Sequence, residues 1–92
     1  MKKVILVDDE KLVAEAISRQ VDWESCGAAL CRVCLNAFEA LRAVEEVRPD
    51  IIITDIKMPV MDGLELIRRV RESDPYPEFI ILSGYGEFEL AK

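Results

Sequence analysis

The sequence predicts an α/β fold built on a parallel sheet, and three observations support that prediction. Four short segments rich in valine, isoleucine and leucine have the composition of strands buried on both faces. The segments between them repeat apolar residues at the spacing of an amphipathic helix. Oxygen-bearing side chains follow three of the four apolar segments, as at the carboxyl edge of an open α/β sheet. This alternation predicts a βαβαβαβ order with right-handed crossovers.

The composition limits both the size of the fold and the class of partner. The 92 residues suffice for one small domain, and 51% of them are hydrophobic, which is enough to build a core. The net charge of −6 argues against nucleic-acid binding by this chain, because phosphate contacts need a basic surface. The sequence has no run of about 18 apolar residues and no signal-like amino terminus. We therefore expect a soluble, cytoplasmic protein with no membrane contact.

The first half of the chain is predicted to contain two strands and two helices. The first strand spans residues 3–7, and the second spans residues 28–35, where Arg32 indicates an edge position. An acidic loop, residues 8–10, is expected to cap the first helix. The spacing predicts the buried faces of both helices: Leu12, Val13, Ala16, Ile17 and Val21 in the first, and Ala37, Phe38, Leu41, Val44 and Val47 in the second. Trp23, between the first helix and the second strand, is expected to anchor the core.

The second half of the chain is predicted to contain two more strands and a further helix between them. The third strand leads to Asp55, and the fourth spans residues 79–82. The buried face of the third helix is predicted to consist of Leu64, Ile67 and Val70. The prolines of segment 73–77 end that helix. Residues 87–92 are predicted to start a fourth helix.

Three cysteines raise the question of a redox or metal site. Cys31 and Cys34 have the spacing of such a pair, but their segment is predicted to be a strand, where residues three apart point to opposite faces. The chain has no histidine and no second cysteine pair to complete a zinc site. We therefore expect Cys26, Cys31 and Cys34 to be buried, reduced thiols.

The acidic residues at the strand ends are the candidate functional site. Asp8 and Asp9 follow the first strand and Asp55 ends the third, so a parallel sheet places them on one edge. Ser83 follows the fourth strand and can converge on the same edge. Carboxylates within about 4 Å repel by roughly 4 kcal/mol per pair near a protein surface, which calls for a divalent cation or a proton. Oxygen ligands without histidine or cysteine favour Mg²⁺ or Mn²⁺ over zinc. Taken singly, the acids after the first strand would only cap a helix; taken together, they favour a metal site.

The loop after the third strand carries weaker signals. The pair Asp62-Gly63 is predicted to form a turn, and Pro59 and Gly63 are expected to set the backbone shape without chemistry of their own. Met58 and Met61 are predicted to pack rather than to recognise a partner.

Three motifs make the chain resemble the receiver domain of bacterial two-component response regulators. They are VDDE after the first strand, ITDIKMPVMDGLEL around the third and ILSGYGEFE at the fourth. The resemblance runs through essentially the whole chain, and it implies a flavodoxin-like three-layer α/β sandwich with a parallel sheet of order 2-1-3-4. The family fold continues with a fifth strand and a fifth helix. We therefore expect residues 1–92 to be a receiver domain that is incomplete at its C-terminus.

The resemblance also implies roles for individual residues of the site. Asp55 would be the phospho-acceptor, taking a phosphoryl group from a sensor histidine kinase. Asp9 and Asp55 would bind Mg²⁺, or Mn²⁺, directly, together with the backbone carbonyl of Lys57. Asp8 would act on the same ion through a water molecule.

A switch is implied for the residues that follow the fourth strand. Ser83 occupies the position whose hydroxyl binds a phosphoryl oxygen and draws the loop inward. Tyr85 would move with this switch, the alternative being an exposed loop aromatic. The LSGY-type ending resembles receivers joined to arabinose-regulator-type helix-turn-helix domains, which would make the output transcriptional.

Departures from the family pattern leave two other functions open. The family's fifth-strand lysine has no counterpart here, which favours a non-phosphorylated protein-interaction fragment. A Mg²⁺-dependent phosphatase with an aspartyl-phosphate intermediate would carry a second aspartate two residues after the nucleophile, where this chain has Lys57. We therefore expect a signalling domain rather than an enzyme. An unpaired edge on the fourth strand predicts self-association with a second copy.

Overall fold

The computed structural model describes residues 1–82, which form four strands and three α-helices. The elements are β1 (Lys2–Val7), α1 (Lys11–Gln20), β2 (Ala28–Cys34), α2 (Ala37–Val47), β3 (Ile51–Asp55), α3 (Gly63–Ser73) and β4 (Glu78–Leu82), with a short 3₁₀ helix, Glu24–Cys26, before β2. None of these helices is long and apolar enough to cross a membrane. The predicted order of elements is confirmed through β4. The predicted helix at residues 87–92 lies outside the described residues.

The four described strands form one parallel sheet in the order β2-β1-β3-β4, as predicted. β2 is an edge strand, which confirms the position that Arg32 indicates. In the β1–β3 pair, Val7 lies opposite Thr54. Asp8, which follows β1, and Asp55, the last residue of β3, therefore lie side by side at the carboxyl edge of the sheet.

The apolar core on one face of the sheet includes three alanines of α2 among larger side chains of the strands and α3. The cluster includes Ala37, Ala40 and Ala43 of α2, Ile5 and Val7 of β1, Ile52 of β3, and Leu66 and Val70 of α3. Alanine lets the α2 backbone approach the sheet closely. Val4 and Leu6 alternate with the cluster residues along β1 and are buried on the other face, as is Ala14 of α1. The helices thus cover both faces, which completes the predicted flavodoxin-like arrangement of three layers.

The predicted buried faces of the helices are wrong at several positions. The exposed residues are Leu12 and Val13 in α1, Val21 at its end, Phe38 in α2 and Leu64 in α3. Ala14, Ala40 and Leu66 are buried in their place, each with 0% exposure. The apolar spacing predicts where each helix lies, but these helices carry more apolar residues than one buried face can accommodate. Packing against the sheet decides which of these residues are buried.

The two ends of α1 are also held differently from the prediction. Glu10 is the N-cap residue, and no side chain makes the capping hydrogen bond, so the predicted acidic cap is wrong. The Glu10 N–H instead donates to Asp8 Oδ1 at 2.9 Å, which folds the loop. Trp23 is half-buried rather than a core anchor. Its indole N–H donates to the carbonyl of Ser18 at 3.1 Å and so provides a hydrogen-bond partner for a carbonyl in the last turn of α1.

The cysteines are free thiols with two different environments. Cys34 is buried, and burial raises the pKa of its thiol to about 11. Cys26 and Cys31 are exposed, so the prediction that they are buried is wrong. Cys31 lies where the register of β2 against β1 skips one residue, an irregularity that strand periodicity alone does not reveal.

Candidate functional site

A group of three aspartates, the acidic cluster, lies at the carboxyl edge of the sheet. Asp8, Asp9 and Asp55 each offer one carboxylate oxygen, and these oxygens all lie within 4.8 Å of one another. Asp8 is only 3% exposed, Asp55 is half-buried and Asp9 is exposed. The structure therefore brings together the three acids that the strand ends predict, with access from solvent on the side of Asp9.

The buried member of the cluster is held in an environment that disfavours its charge. Burial raises the pKa of the Asp8 carboxyl, and the nearby charges of Asp55, Asp9 and Glu10 raise it further, whereas the hydrogen bond from the Glu10 N–H lowers it. A bound cation would remove this unfavourable charge. The cluster offers carboxylate oxygens, which are ligands that Mg²⁺ and Mn²⁺ prefer. Charge and donor type therefore both fit a hard divalent cation.

Asp55 is oriented by its own backbone neighbours. The N–H of Ile56 donates to Asp55 Oδ1 at 2.8 Å. The hydroxyl of Thr54 donates to the Asp55 carbonyl at 2.9 Å, and the Thr54 side chain is completely buried. This positioning role of Thr54 was not predicted from the sequence, although a hydroxyl residue in an otherwise apolar strand was an available signal.

The start of α3 lies against the end of β3 because residue 63 has no side chain. The Gly63 N–H donates to the Ile56 carbonyl at 2.7 Å, and a Cβ on Gly63 would lie 2.1 Å from the Asp55 carbonyl oxygen. Asp62 was predicted to form a simple turn with Gly63, but it is the N-cap residue of α3. Its Oδ1 accepts a hydrogen bond from the Glu65 N–H at 2.8 Å. The aspartate that starts α3 therefore has a capping role, distinct from that of the acidic cluster.

The loop from β3 to α3 contains a tight turn at Val60. The Met61 N–H donates to the Pro59 carbonyl at 2.8 Å, and Val60 between them has φ +71°. Pro59 thus helps to shape the loop through its carbonyl. Met58 and Met61 are buried beneath the loop, in agreement with a packing role.

The phospho-acceptor, metal-binding and switch roles of all the predicted site residues, Lys57, Ser83 and Tyr85 included, stay predictions. Lys57 is exposed on the same loop, and its carbonyl remains the predicted further metal ligand. Ser83 and Tyr85, the predicted switch residues, lie outside the described residues.

Comparison with known sequences identifies the family. The model of the response regulator receiver domain matches residues 4–92. The uncharacterized transcriptional regulatory protein YesN of Bacillus subtilis is 47% identical over 92 residues, which are 100% of this chain and 25% of that protein. The transcriptional regulatory protein HptR of Staphylococcus aureus is 32% identical over 92 residues, which are 100% of this chain and 36% of that protein. The chain thus spans about a quarter to just over a third of the length of these relatives.

Solved structures share the fold of this chain. The REC domain of AraT, a response regulator from Geobacillus stearothermophilus, matches with a TM-score of 0.86 and 34% identity over 98% of this chain and 70% of that chain. The response regulator TrrA of Thermotoga maritima, solved in complex with Mg²⁺–BeF, matches with a TM-score of 0.81 and 28% identity over 98% of this chain and 76% of that chain. The family match extends over almost the whole chain, and the sheet has the order that the family predicts. This chain belongs to the receiver domain family of two-component response regulators.

Proposed function

We propose that this receiver domain accepts a phosphoryl group on Asp55 from the phosphohistidine of a sensor histidine kinase, with Mg²⁺ or Mn²⁺ as the cofactor. The acidic cluster is the observation that supports the proposal most directly. It places Asp55 within 4.8 Å of two other carboxylates that belong to a different strand end. The related structure of TrrA contains Mg²⁺–BeF, which is in keeping with a metal-dependent phosphoryl site in this family.

The residues of the cluster would share the binding of the cation. Asp9 and Asp55 would hold it directly, together with the carbonyl of Lys57, and Asp8 would contribute through a water molecule. When bound, the cation would offset the negative charge of the carboxylates and of the phosphoryl group. Phosphoryl transfer depends mainly on such neutralisation and on positioning, so a site of this composition suits it.

Asp55 is positioned to act as the nucleophile. The Ile56 N–H bound to Oδ1 fixes the carboxylate, and the buried Thr54 hydroxyl fixes the adjoining carbonyl. An Asp55 oxygen forms a bond to phosphorus while the N–P bond of the phosphohistidine breaks, and the electron pair of that bond stays on the imidazole nitrogen. The product is an acyl phosphate on the domain itself. The domain is therefore a phospho-accepting signalling module and not an enzyme with a diffusible product.

The acyl phosphate would control an output domain through the segment after β4. In this proposal the Ser83 hydroxyl binds a phosphoryl oxygen, and Tyr85 moves with the same loop. YesN and HptR are named transcriptional regulatory proteins and are much longer than this chain, which supports a transcriptional output. An arabinose-regulator-type helix-turn-helix domain is the output that we propose for the parent protein.

Intact mass spectrometry tests the phospho-acceptor. The wild-type chain is incubated with Mg²⁺ and phosphoramidate, and an Asp55→Asn variant is treated in parallel. We expect one phosphoryl adduct on the wild type and none on the variant. An adduct on both would place the acceptor at another residue. An adduct on neither would favour a domain that acts by protein binding alone.

We also propose that the chain associates with a second copy through β4. Among residues 1–82, β4 is hydrogen-bonded to β3 along one side, and its Ile80 is 50% exposed. An apolar strand edge readily pairs with another chain. Sedimentation at micromolar concentration should show dimers, whereas a monomer that melts cooperatively would contradict this proposal.

A further inference from the structure

Two cavities flank β2, an edge strand of the sheet. The first, the α2-side cavity, has a volume of about 190 Å³ and is lined in part by Arg32 and Cys34. The second, the α1-side cavity, has a volume of about 210 Å³ and is lined in part by Ala14 and Leu35. Val33 lines both cavities, so the two cavities meet at one point of the strand.

Strand alternation places the two cavities on opposite faces of β2. Cys34 packs in the core cluster that includes α2. Arg32, two residues before it, binds Glu46 of α2 at 2.8 Å, so both side chains point to the α2 side. Val33 lies between them and points to the other side, where Ala14 of α1 lines the same cavity. An extended chain added to this edge would therefore reach one cavity with every second side chain and the other cavity with the side chains between.

The backbone of β2 can pair with another chain at Val33. The Asp8 N–H donates to the Cys34 carbonyl at 3.0 Å, so the backbone groups of Cys34 point to β1. In a parallel strand the N–H and C=O of the adjacent residue point to the opposite side, and among residues 1–82 no strand lies on that side of β2. Charged side chains often protect such edges, but the Arg32 guanidinium is bound to Glu46 on the α2 side. The N–H and C=O of Val33 therefore face an open edge.

Hydrogen bonds within the chain limit this open edge to a short stretch. The Ala28 N–H donates to the Trp23 carbonyl at 2.9 Å, and the Leu35 N–H donates to Glu39 Oε1 at 3.0 Å. The register skip at Cys31 interrupts the stretch between these two points. A segment shorter than an ordinary strand of about five or six residues fits this length.

The lining of each cavity indicates the side chain that it would accept. Within the described part of the chain, no hydrogen bond or ion pair joins Arg42 to another residue, so its guanidinium has donors to offer in the α2-side cavity. A carboxylate is the acceptor that matches those donors best. The α1-side cavity instead presents Ala14, Leu35 and the 37% exposed Val33, and it suits an apolar side chain. Both volumes lie below the roughly 300 Å³ at which small-molecule pockets begin, which favours single side chains as occupants.

We propose that the open edge of β2 binds a short extended segment of a partner protein in which acidic and apolar side chains alternate. The backbone groups of Val33 pair with the segment, an acidic side chain binds Arg42, and an apolar side chain enters the α1-side cavity. In this mode of recognition, backbone hydrogen bonds provide affinity and the two cavities provide specificity. None of the described residues that line the two cavities belongs to the acidic cluster, so this binding does not depend on the proposed phosphorylation.

An NMR titration with a synthetic peptide tests the proposal. The probe is a five-residue peptide, blocked at both ends, with leucine at its centre, glutamate on each side of the leucine and serine at both ends. A ¹⁵N-labelled sample of the chain is titrated with this peptide, and we expect saturable shifts that are largest at the Val33 N–H. The Kd should be about millimolar, because a short flexible peptide loses conformational entropy when it binds.

Three matched comparisons test the chemistry of the α2-side cavity. Replacing both glutamates of the peptide by lysine should raise the Kd by about threefold or more, and this comparison needs no variant of the protein. Arg42→Gln should raise the Kd of the glutamate peptide by about threefold, the effect of one exposed ion pair. Arg69→Gln makes the same charge change on α3, where Arg69 is bound to Glu65, and should leave the Kd unchanged.

Several outcomes would overturn the proposal. Largest shifts at β4 would mean that the peptide adds to the other edge of the described sheet. The absence of saturable shifts at Val33 would mean that the β2 edge does not bind such a segment. An equal Kd for the glutamate and lysine peptides, or for the wild type and Arg42→Gln, would contradict the acidic specificity. A Val33 shift that follows protein concentration without peptide would show that a second copy of the chain covers the edge instead.

Discussion

Two aspartates lie at opposite ends of β3, Asp50 just before the strand and Asp55 as its last residue, and their surroundings differ. Asp50 precedes the strand, where its Oδ2 accepts from the Lys3 N–H at 2.6 Å and its Oδ1 accepts from the Tyr76 hydroxyl at 2.8 Å. These hydrogen bonds lower the pKa of the Asp50 carboxyl. Asp55 ends the strand and lies among other carboxylates, where burial and like charge raise the pKa of its neighbour Asp8.

The contrast shows that one residue type stabilises the fold at one edge of the sheet and forms the candidate functional site at the other. Asp50 joins three strands, because its backbone N–H also donates to the Lys3 carbonyl at 2.8 Å and its carbonyl accepts from Glu78 at 3.0 Å. Its charge is matched by donors from the protein. In the acidic cluster, three carboxylates lie close together, an arrangement whose mutual repulsion a bound cation would offset.

Replacing each aspartate by asparagine should separate the two roles, and this is the largest effect we expect. Asp55→Asn should abolish the phosphoryl adduct and leave the thermal midpoint unchanged or raised, because one charge of the cluster is removed. Asp50→Asn should keep the adduct and lower the midpoint by a few degrees, because one of the two accepting oxygens becomes an NH₂ group, which cannot accept a hydrogen bond. Intact mass and calorimetry on the same samples provide the measurement. Loss of the adduct in Asp50→Asn would show that the two edges are coupled.

Gly63→Ala should destabilise the domain, because the added Cβ would clash with the backbone at the end of β3. The new Cβ would lie 2.1 Å from the Asp55 carbonyl oxygen, and neither backbone can give way easily, so we expect a loss of about 3 kcal/mol in the free energy of unfolding. Urea denaturation measures the loss.

Gly27→Ala is the control for a loss of glycine alone. No atom lies within 4 Å of its added Cβ, but Gly27 has φ +74°, so a loss of about 1 kcal/mol is expected. Equal losses in the two variants would mean that contact with the end of β3 is not what requires glycine at 63.

Asp8→Asn should stabilise the domain without metal and weaken its response to metal. Removing one of three neighbouring charges should raise the free energy of unfolding by about 1 to 4 kcal/mol, the range of the repulsion between two charges near 4 Å from bulk water to a protein surface. Addition of Mg²⁺ should raise the thermal midpoint of the wild type more than that of the variant. A variant less stable than the wild type without Mg²⁺ would show that the Asp8 hydrogen bond to Glu10 outweighs the repulsion.

The stabilising effect of Asp50 should depend on pH in a defined direction. Its folded-state pKa lies below the ordinary value of 3.8, so its contribution is fully present above that value and is lost as the pH falls through the folded pKa. The difference in urea midpoint between wild type and Asp50→Asn should therefore stay constant from neutral pH down to pH 3.8 and narrow as the pH falls further. Other carboxyls titrate in both proteins and cancel. A difference that widens on acidification would contradict the assigned role.

Tyr76→Phe should give the smallest effect. It removes one of the two donors to the Asp50 carboxylate and keeps the backbone donor from Lys3. We expect a decrease in thermal midpoint smaller than that of Asp50→Asn, with normal phosphorylation. In the double variant, Tyr76→Phe should add nothing further, because its hydroxyl would already lack the charged acceptor. Additive decreases would show that Tyr76 acts independently of Asp50.

The carboxylates of the candidate site could be predicted from the sequence more readily than the hydrogen bonds that hold the neighbouring backbone in place. Asp8, Asp9 and Asp55 follow apolar strands, and parallel strands end at a common edge, so their convergence follows from local pattern alone. The buried hydroxyl of Thr54 and the N-cap role of Asp62 depend on where neighbouring backbone groups fall in space. Strand alternation and turn statistics do not contain that information.

The sequence by itself determined the order of the elements and the acids that end the strands, because apolar periodicity and turn residues act over a few positions. Tertiary structure decided which helical stripe is buried, selecting Ala40 over Phe38 and Leu66 over Leu64. It also joined Asp50 to Tyr76, which lies 26 residues further along the chain. These choices depend on how closely a helix can approach the sheet and on which distant groups the sheet brings together. Both are properties of packing in three dimensions rather than of spacing along the chain.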